Sequence, residues 1–189
     1  RKNLQNHLVN NLNNTNIGIL LTMYSGMRIG EICALKWSDI DLQSGIIRIS
    51  KTVQRINDKI GNSKTKIIVG SPKSRTSERE IPIPNFLVNI LNERRQNENN
   101  YILSGTHKLI EPRTMQNRFK SVLKKCGIRN VNFHLLRHTY ATVCIENGFD
   151  AKTVSELLGH SNVNITLNRY VHSSLDTKKK YVEKLNFVA

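Results

Sequence analysis

Residues 133–170 read FHLLRHTYATVCIENGFDAKTVSELLGHSNVNITLNRY, and their patterning makes the C-terminal part of the chain helical. FHLLRHTYATVCIENG (133–148) carries apolar positions at helical spacing. DAKTVSELLGH (150–160) offers Asp150 as N-cap, and NITLNRY (164–170) supplies another turn or two. LDTKKKYVEKL (175–185) predicts one more helix beyond them. Working back toward the N-terminus, PRTMQNRFKSVLKKCG (112–127) and PNFLVNILNERRQ (84–96) each open on a proline, which suits a first helical residue because its missing N–H has no partner to lose there. IIRIS (46–50), KIIVG (66–70) and REIPI (79–83) are β-rich, and the polar Gly, Ser and Lys residues between them are those of hairpin tips. NTNIGILLTMYSG (14–26) reads as a helix closed by Gly26, and RIGEICALKW (28–37) as another after a tight turn. The expected fold is α+β and mainly α, one globular unit with a small three-stranded antiparallel sheet.

Composition limits what such a fold does. The chain has 189 residues, 38% of them hydrophobic, enough for a proper core. Twenty-nine Lys and Arg against fourteen Asp and Glu give a net charge of +15, which calls for a polyanionic partner such as nucleic acid or an anionic membrane surface. The membrane is disfavoured, because no apolar run approaches the roughly 20 residues of a spanning helix, and no signal peptide is evident. Cys33, Cys126 and Cys144 are odd in number and widely spaced, so neither a disulfide framework nor a zinc knuckle is indicated, and a reducing cytoplasm is the expected compartment. Opening on Arg1 rather than Met, the chain is expected to be a fragment of a longer protein.

The helix that begins at Pro112 separates its charge from its apolar side. Met115, Phe119, Val122 and Cys126 form one stripe, and Arg113, Asn117, Lys120 and Lys124 repeat that spacing two residues out of phase, about 200° around the axis. Residues 108–130 hold seven Lys and Arg against one Glu, more than solubility requires, so Arg113, Lys120 and Lys124 are candidate DNA contacts.

His134 and Arg137 stand three apart and share a helix face, whereas His138 is rotated by about 100° from Arg137. A guanidinium grips phosphate with a planar fork, and an imidazole moves a proton near neutral pH, so the pair suits phosphoryl transfer. Alone, the spacing reads first as a structural pair. Other stretches alter that reading: SGMRIGE puts Arg28 past a glycine turn at a helix start, where a cation opposes the macrodipole and so needs another reason. LLGHSN puts His160 past a helix end, LNRYVH carries Tyr170, and SPKSRTSEREIPI offers Lys73 on a hairpin. GMRIGEICALKWSDID, HLLRHTYAT and LLGHSNVNITLNRY, in this order, resemble the signature boxes of the tyrosine recombinases, the family of phage and conjugative-transposon integrases, over about Asn16 to Tyr181.

That resemblance implies the fold of a DNA breaking–rejoining catalytic domain and a role for each residue. Tyr170 is the implied nucleophile, forming a 3′-phosphotyrosyl link and freeing a 5′-hydroxyl. Arg28 and Arg137 clamp the non-bridging oxygens, His134 is the base toward the tyrosine, Lys73 the acid toward the leaving oxygen, and His160 a donor to the phosphate. Glu31 buttresses the site. Lys64, Lys66 and Arg75 lie near Lys73 in the same hairpin, and Tyr181 is the rival nucleophile. His138, Tyr24, Tyr101 and Tyr140 read as structural. No cofactor or metal is expected: GxxxxGK[ST] does not occur, and the ester conserves the bond energy.

The implied partners are double-stranded attachment sites, with a monomer off DNA and a homotetramer in the synaptic complex, acting at the bacterial nucleoid. Residues 1–189 are expected to be the catalytic domain alone, without the core-site DNA-binding domain, and in some relatives the arm-site domain, that usually precede it. A type IB topoisomerase shares the chemistry but not these boxes. A DNA-binding module accounts for the charge and not for the ordered Arg, His and Tyr set.

Overall fold

Asn13 starts the central helix of the fold by accepting the Asn16 N–H on its side chain at 3.0 Å. The computed structural model describes residues 2–58, 64–71, 77–170, 179 and 182–183, with the side chains of Arg169 and Tyr170 outside that description. Helix α1 (Lys2–Asn10) packs on α2 (Asn14–Ser25), whose residues are nearly all buried. At Gly26 the backbone takes φ 64°, a conformation open to glycine without Cβ penalty, and its N–H closes on Thr22 O at 3.0 Å. Helix α3 (Ile29–Ala34) follows, shorter than the expected 28–37. Its end is fixed by Leu35, which is extended, and by Lys36, whose N–H bonds the Asp39 carboxylate while its backbone bridges to Tyr101. Trp37–Asp39 is a separate 3₁₀ turn.

Strands β1 (Ile40–Asp41) and β2 (Ile46–Ile49) pair antiparallel. Strands β3 (Thr52–Asn57) and β4 (Thr65–Gly70) form a separate antiparallel hairpin, and β5 (Arg79–Pro82) returns to β2 with Ile47 opposite Ile81. The three-stranded sheet is therefore β1–β2–β5, and KIIVG, expected in it, belongs to the hairpin instead. The partner of KIIVG was hidden in the sequence, because Thr52–Asn57 buries only Val53 and no apolar alternation marks it as a strand.

Helix α4 (Asn85–Asn92) has Pro84 as its N-cap rather than its first residue, while Pro112 does open α5 (Pro112–Lys125). On α5, Met115, Phe119 and Val122 are buried and Arg113, Asn117, Lys120 and Lys124 are exposed, as the two stripes require. Each large apolar side chain so buried is worth about 1.5–3 kcal/mol, which holds the helix down. Helices α6 (His134–Glu146), α7 (Ala151–Leu158) and α8 (Val163–Tyr170) complete the described fold, which is mainly helical with small antiparallel sheets. Residues 175–185 lie outside it apart from 179 and 182–183. One core joins α1 through α5 and the strands, continuing to Phe133 and Leu136. A smaller one, Ala141, Cys144, Val154 and Leu158, lies between α6 and α7. Among the described residues no helix is long and apolar enough to cross a membrane.

Candidate active site

The C-terminus of α7 organises the seam between the two cores. Asp150 caps the other end of the helix, accepting the Thr153 N–H at 2.9 Å. At Gly159 (φ 64°) the chain turns left-handed, and the His160 N–H reaches back to Ser155 O at 3.0 Å. The last carbonyls of a helix have no helical donors and carry its negative dipole end. Three arginines from other parts of the chain supply the donors: Arg79 Nε bonds Leu157 O at 2.7 Å, Arg137 Nη2 bonds Leu158 O at 2.6 Å, and Arg28 Nη2 bonds Gly159 O at 3.1 Å. Arg137 also donates from Nη1 to Gly26 O at 2.9 Å, joining the end of α2 to the end of α7.

Glu31 links two of these arginines. Its Oε1 accepts from Arg28 Nη1 at 2.8 Å and from Arg79 Nη1 at 3.1 Å, and its Oε2 from Arg79 Nη2 at 2.9 Å and from the Arg28 backbone N–H at 2.8 Å. The carboxylate is only 2% exposed. Burial by itself opposes its ionisation most strongly. The bond and charge of Arg79, with those of Arg28, overcome burial and hold the carboxyl below the usual range.

Beside this network lies an open cleft of about 670 Å³, lined by Arg28, Glu31, Thr52, His134, Gly159 and His160 among others. Of the three arginines at the end of α7, Arg28 has the most solvent access, its side chain 38% exposed against 6% for Arg79. His134 opens α6 with its N–H on Asn132 Oδ1 at 3.0 Å, and its ring meets that of His138 edge to face at 4.6 Å. His160 Nδ1 lies 2.9 Å from Thr166 Oγ1. A cation and two imidazoles on one cleft can bind an oxyanion and move a proton.

The expected residues are thus distributed unevenly. Arg28, Glu31, His134 and His160 share the cleft. Arg137 is buried, 2% exposed, and does not line the cleft. Tyr170 ends α8, with its side chain outside the described residues, and Lys73 and Tyr181 lie outside them altogether. Arg113, Lys120 and Lys124 are on α5, away from the lining. Tyr24 packs edge to face on Phe86, and burial pushes the Tyr140 hydroxyl well above its ordinary range. Burial likewise pushes the Cys33 thiol up to about 12, leaving it inert. Among the described residues no cluster of His, Cys, Asp and Glu is suited to a metal. Sequence reading passed over Arg79 and Thr166. An arginine at a strand end reads as a solvated edge, and a threonine inside NITLNRY as a neutral helix position, so neither carried a signal.

The sequence profile described as the phage integrase family matches residues 3–176. A tyrosine recombinase XerC-like protein of Caldanaerobacter subterraneus subsp. tengcongensis is 36% identical over 186 residues, 88% of this chain and 48% of that one. Tyrosine recombinase XerA of Thermococcus onnurineus is 30% identical over 178 residues, 90% of this chain and 55% of its own. The chain therefore spans about half the length of these relatives. In fold it is similar to the Tn1549 transposon integrase solved with a circular intermediate DNA, at a TM-score of 0.75 and 21% identity, covering 97% of this chain and 63% of that one.

Proposed function

The chain belongs to the phage integrase family of tyrosine recombinases, and from that membership we propose that residues 1–189 are the catalytic unit of a site-specific recombinase of a phage or other mobile element. The observation that carries the reading is the convergence of Arg28, His134 and His160 on one cleft, beside the arginine-bound end of α7.

Tyr170 Oη attacks the scissile phosphorus, its proton passing to His134, and the 5′-oxygen leaves with a proton from Lys73. The product is a 3′-phosphotyrosyl ester and a 5′-hydroxyl. A second 5′-hydroxyl then attacks the ester and releases the tyrosine, so the strand is rejoined with no net change in bonds. Arg28, with Arg137 behind it, meets the charge that grows on the non-bridging oxygens. His160 donates to them, and Glu31 orients Arg28.

Arg113, Lys120 and Lys124 contact the DNA backbone, giving binding that weakens steeply with salt. The substrate is double-stranded DNA of a mobile element, a reading supported by the circular intermediate DNA held by the Tn1549 integrase. Strand exchange takes place in a homotetramer assembled from monomers at the nucleoid.

A nicked duplex carrying the junction between element and chromosome tests the reading. In EDTA and without ATP, the chain is expected to yield a covalent adduct resistant to SDS, and Tyr170→Phe none. A mobility shift without adduct would establish a binding module instead, and an adduct from Tyr170→Phe would move the nucleophile to Tyr181.

A further inference from the structure

We propose that Arg79 is a positioning residue of this reaction, one that sets the Arg28 guanidinium through Glu31 and the turn carrying His160 through Leu157 O. The inference rests on the recombinase reading and concerns a residue to which the sequence assigns nothing.

The geometry is a brace with four points. Arg79 begins β5, and its side chain is 6% exposed. Its Nη1 and Nη2 take both oxygens of Glu31, its Nε takes Leu157 O, and Nη1 also reaches Ser77 O at 3.0 Å. A guanidinium satisfies these directions together because its donors are fixed in one plane, which an ammonium cannot match. The Glu31 carboxylate held in this way presents Oε1 to Arg28 Nη1. Three elements distant in sequence, α3, β5 and α7, are thus registered by one side chain at the place where the cleft residues Arg28 and His160 leave their backbones.

Arg79 does not line the cleft, so it acts on the reaction only through the groups it holds. Without it, Glu31 keeps Arg28 as its direct counter-ion, with Asp39, Arg48 and Lys51 around the small cavity against its other side. Both the aim of Arg28 and the ionisation of Glu31 then change. A displacement of about 1 Å at a reacting group lowers a rate on the order of a hundredfold.

The test uses the whole chain with Arg79→Ala and Arg79→Lys on the nicked junction duplex. The expected result is a first-order cleavage rate at saturating DNA lower by about a hundredfold in Arg79→Ala, with half-saturating DNA concentration little changed. Arg79→Lys recovers part of the rate, and added guanidinium restores part of it to Arg79→Ala. The acid limb of the rate profile moves to higher pH in Arg79→Ala, because Glu31 has lost its strongest partner. A purely structural residue moves none of these three signatures. Folded variants that cleave at the wild-type rate, or that lose only DNA affinity, overturn the inference alone, as does failure of both variants to fold. A wild-type chain that forms no adduct overturns the functional reading and the inference with it.

Discussion

Thr166 Oγ1 lies 2.9 Å from His160 Nδ1, so the ring of one expected catalytic residue is tied to the helix that ends at Tyr170. Thr166 is fully buried and its isostere valine fits the same space without the hydroxyl. Thr166→Val should lower stability by about 1 kcal/mol, the net worth of one hydrogen bond. Cleavage is expected to fall further, by about tenfold, because His160 and α8 then turn independently. Thermal unfolding and adduct formation measured on one preparation separate the two effects. Equal cleavage by the variant would show that the bond does not hold the site.

Arg137→Lys tests the buried arginine. Lysine keeps the charge but cannot bond Leu158 O and Gly26 O in the same plane, so one carbonyl at the end of α2 or α7 is left without its donor. Chemical denaturation should register a loss of about 1–3 kcal/mol. If Arg137 also holds the phosphate as proposed, the cleavage rate should drop by about a hundredfold or more. A variant that is destabilised yet cleaves normally would confine Arg137 to the seam.

These arginines mark the boundary of what the sequence discloses. Helix periodicity, the Asn13 and Asp150 caps, Gly26 and the split stripes of α5 are local, and local signals survive in a linear reading. Arg28, His134 and His160 were legible because each stands at a helix end inside a recognisable box. The Thr52–Asn57 strand was not, as its stabilisation comes from its hairpin partner rather than from a buried face of its own. Arg79 was illegible for a stronger reason. Its partners Glu31 and Leu157 are remote in sequence on both sides, and nothing near residue 79 announces that the charge is buried.

Gly26→Ala tests the turn between α2 and α3. A Cβ there comes within 2.6 Å of the Tyr140 ring and 2.7 Å of Leu158, and the left-handed backbone adds a penalty of roughly 1–2 kcal/mol of its own. The variant should lose stability by at least that amount, and Arg28, two residues on, should be displaced along with it. Melting curves at neutral pH give the answer. An unchanged midpoint would mean that the turn yields freely and does not register the two cores.

Glu31 has its carboxyl held below the usual range in the fold, where Arg79 and Arg28 outweigh the effect of burial, and it returns to the usual range on unfolding. As pH falls, the unfolded chain therefore takes up this proton before the folded chain does, and the balance moves toward unfolding. The stabilisation is complete above the ordinary carboxylate pKa and is lost as pH falls through the depressed folded value, so it cannot contribute to any change on the alkaline side. Glu31→Gln removes the titration, and it also leaves Arg79 buried without its counter-ion, which costs on the order of 3 kcal/mol at neutral pH. The variant should accordingly melt lower at pH 7 and show a shallower decline of Tm below about pH 5, so that the two curves converge in acid. Parallel curves over that range would mean that Glu31 carries no linked proton and that the Arg28–Glu31–Arg79 network is held by geometry rather than by charge.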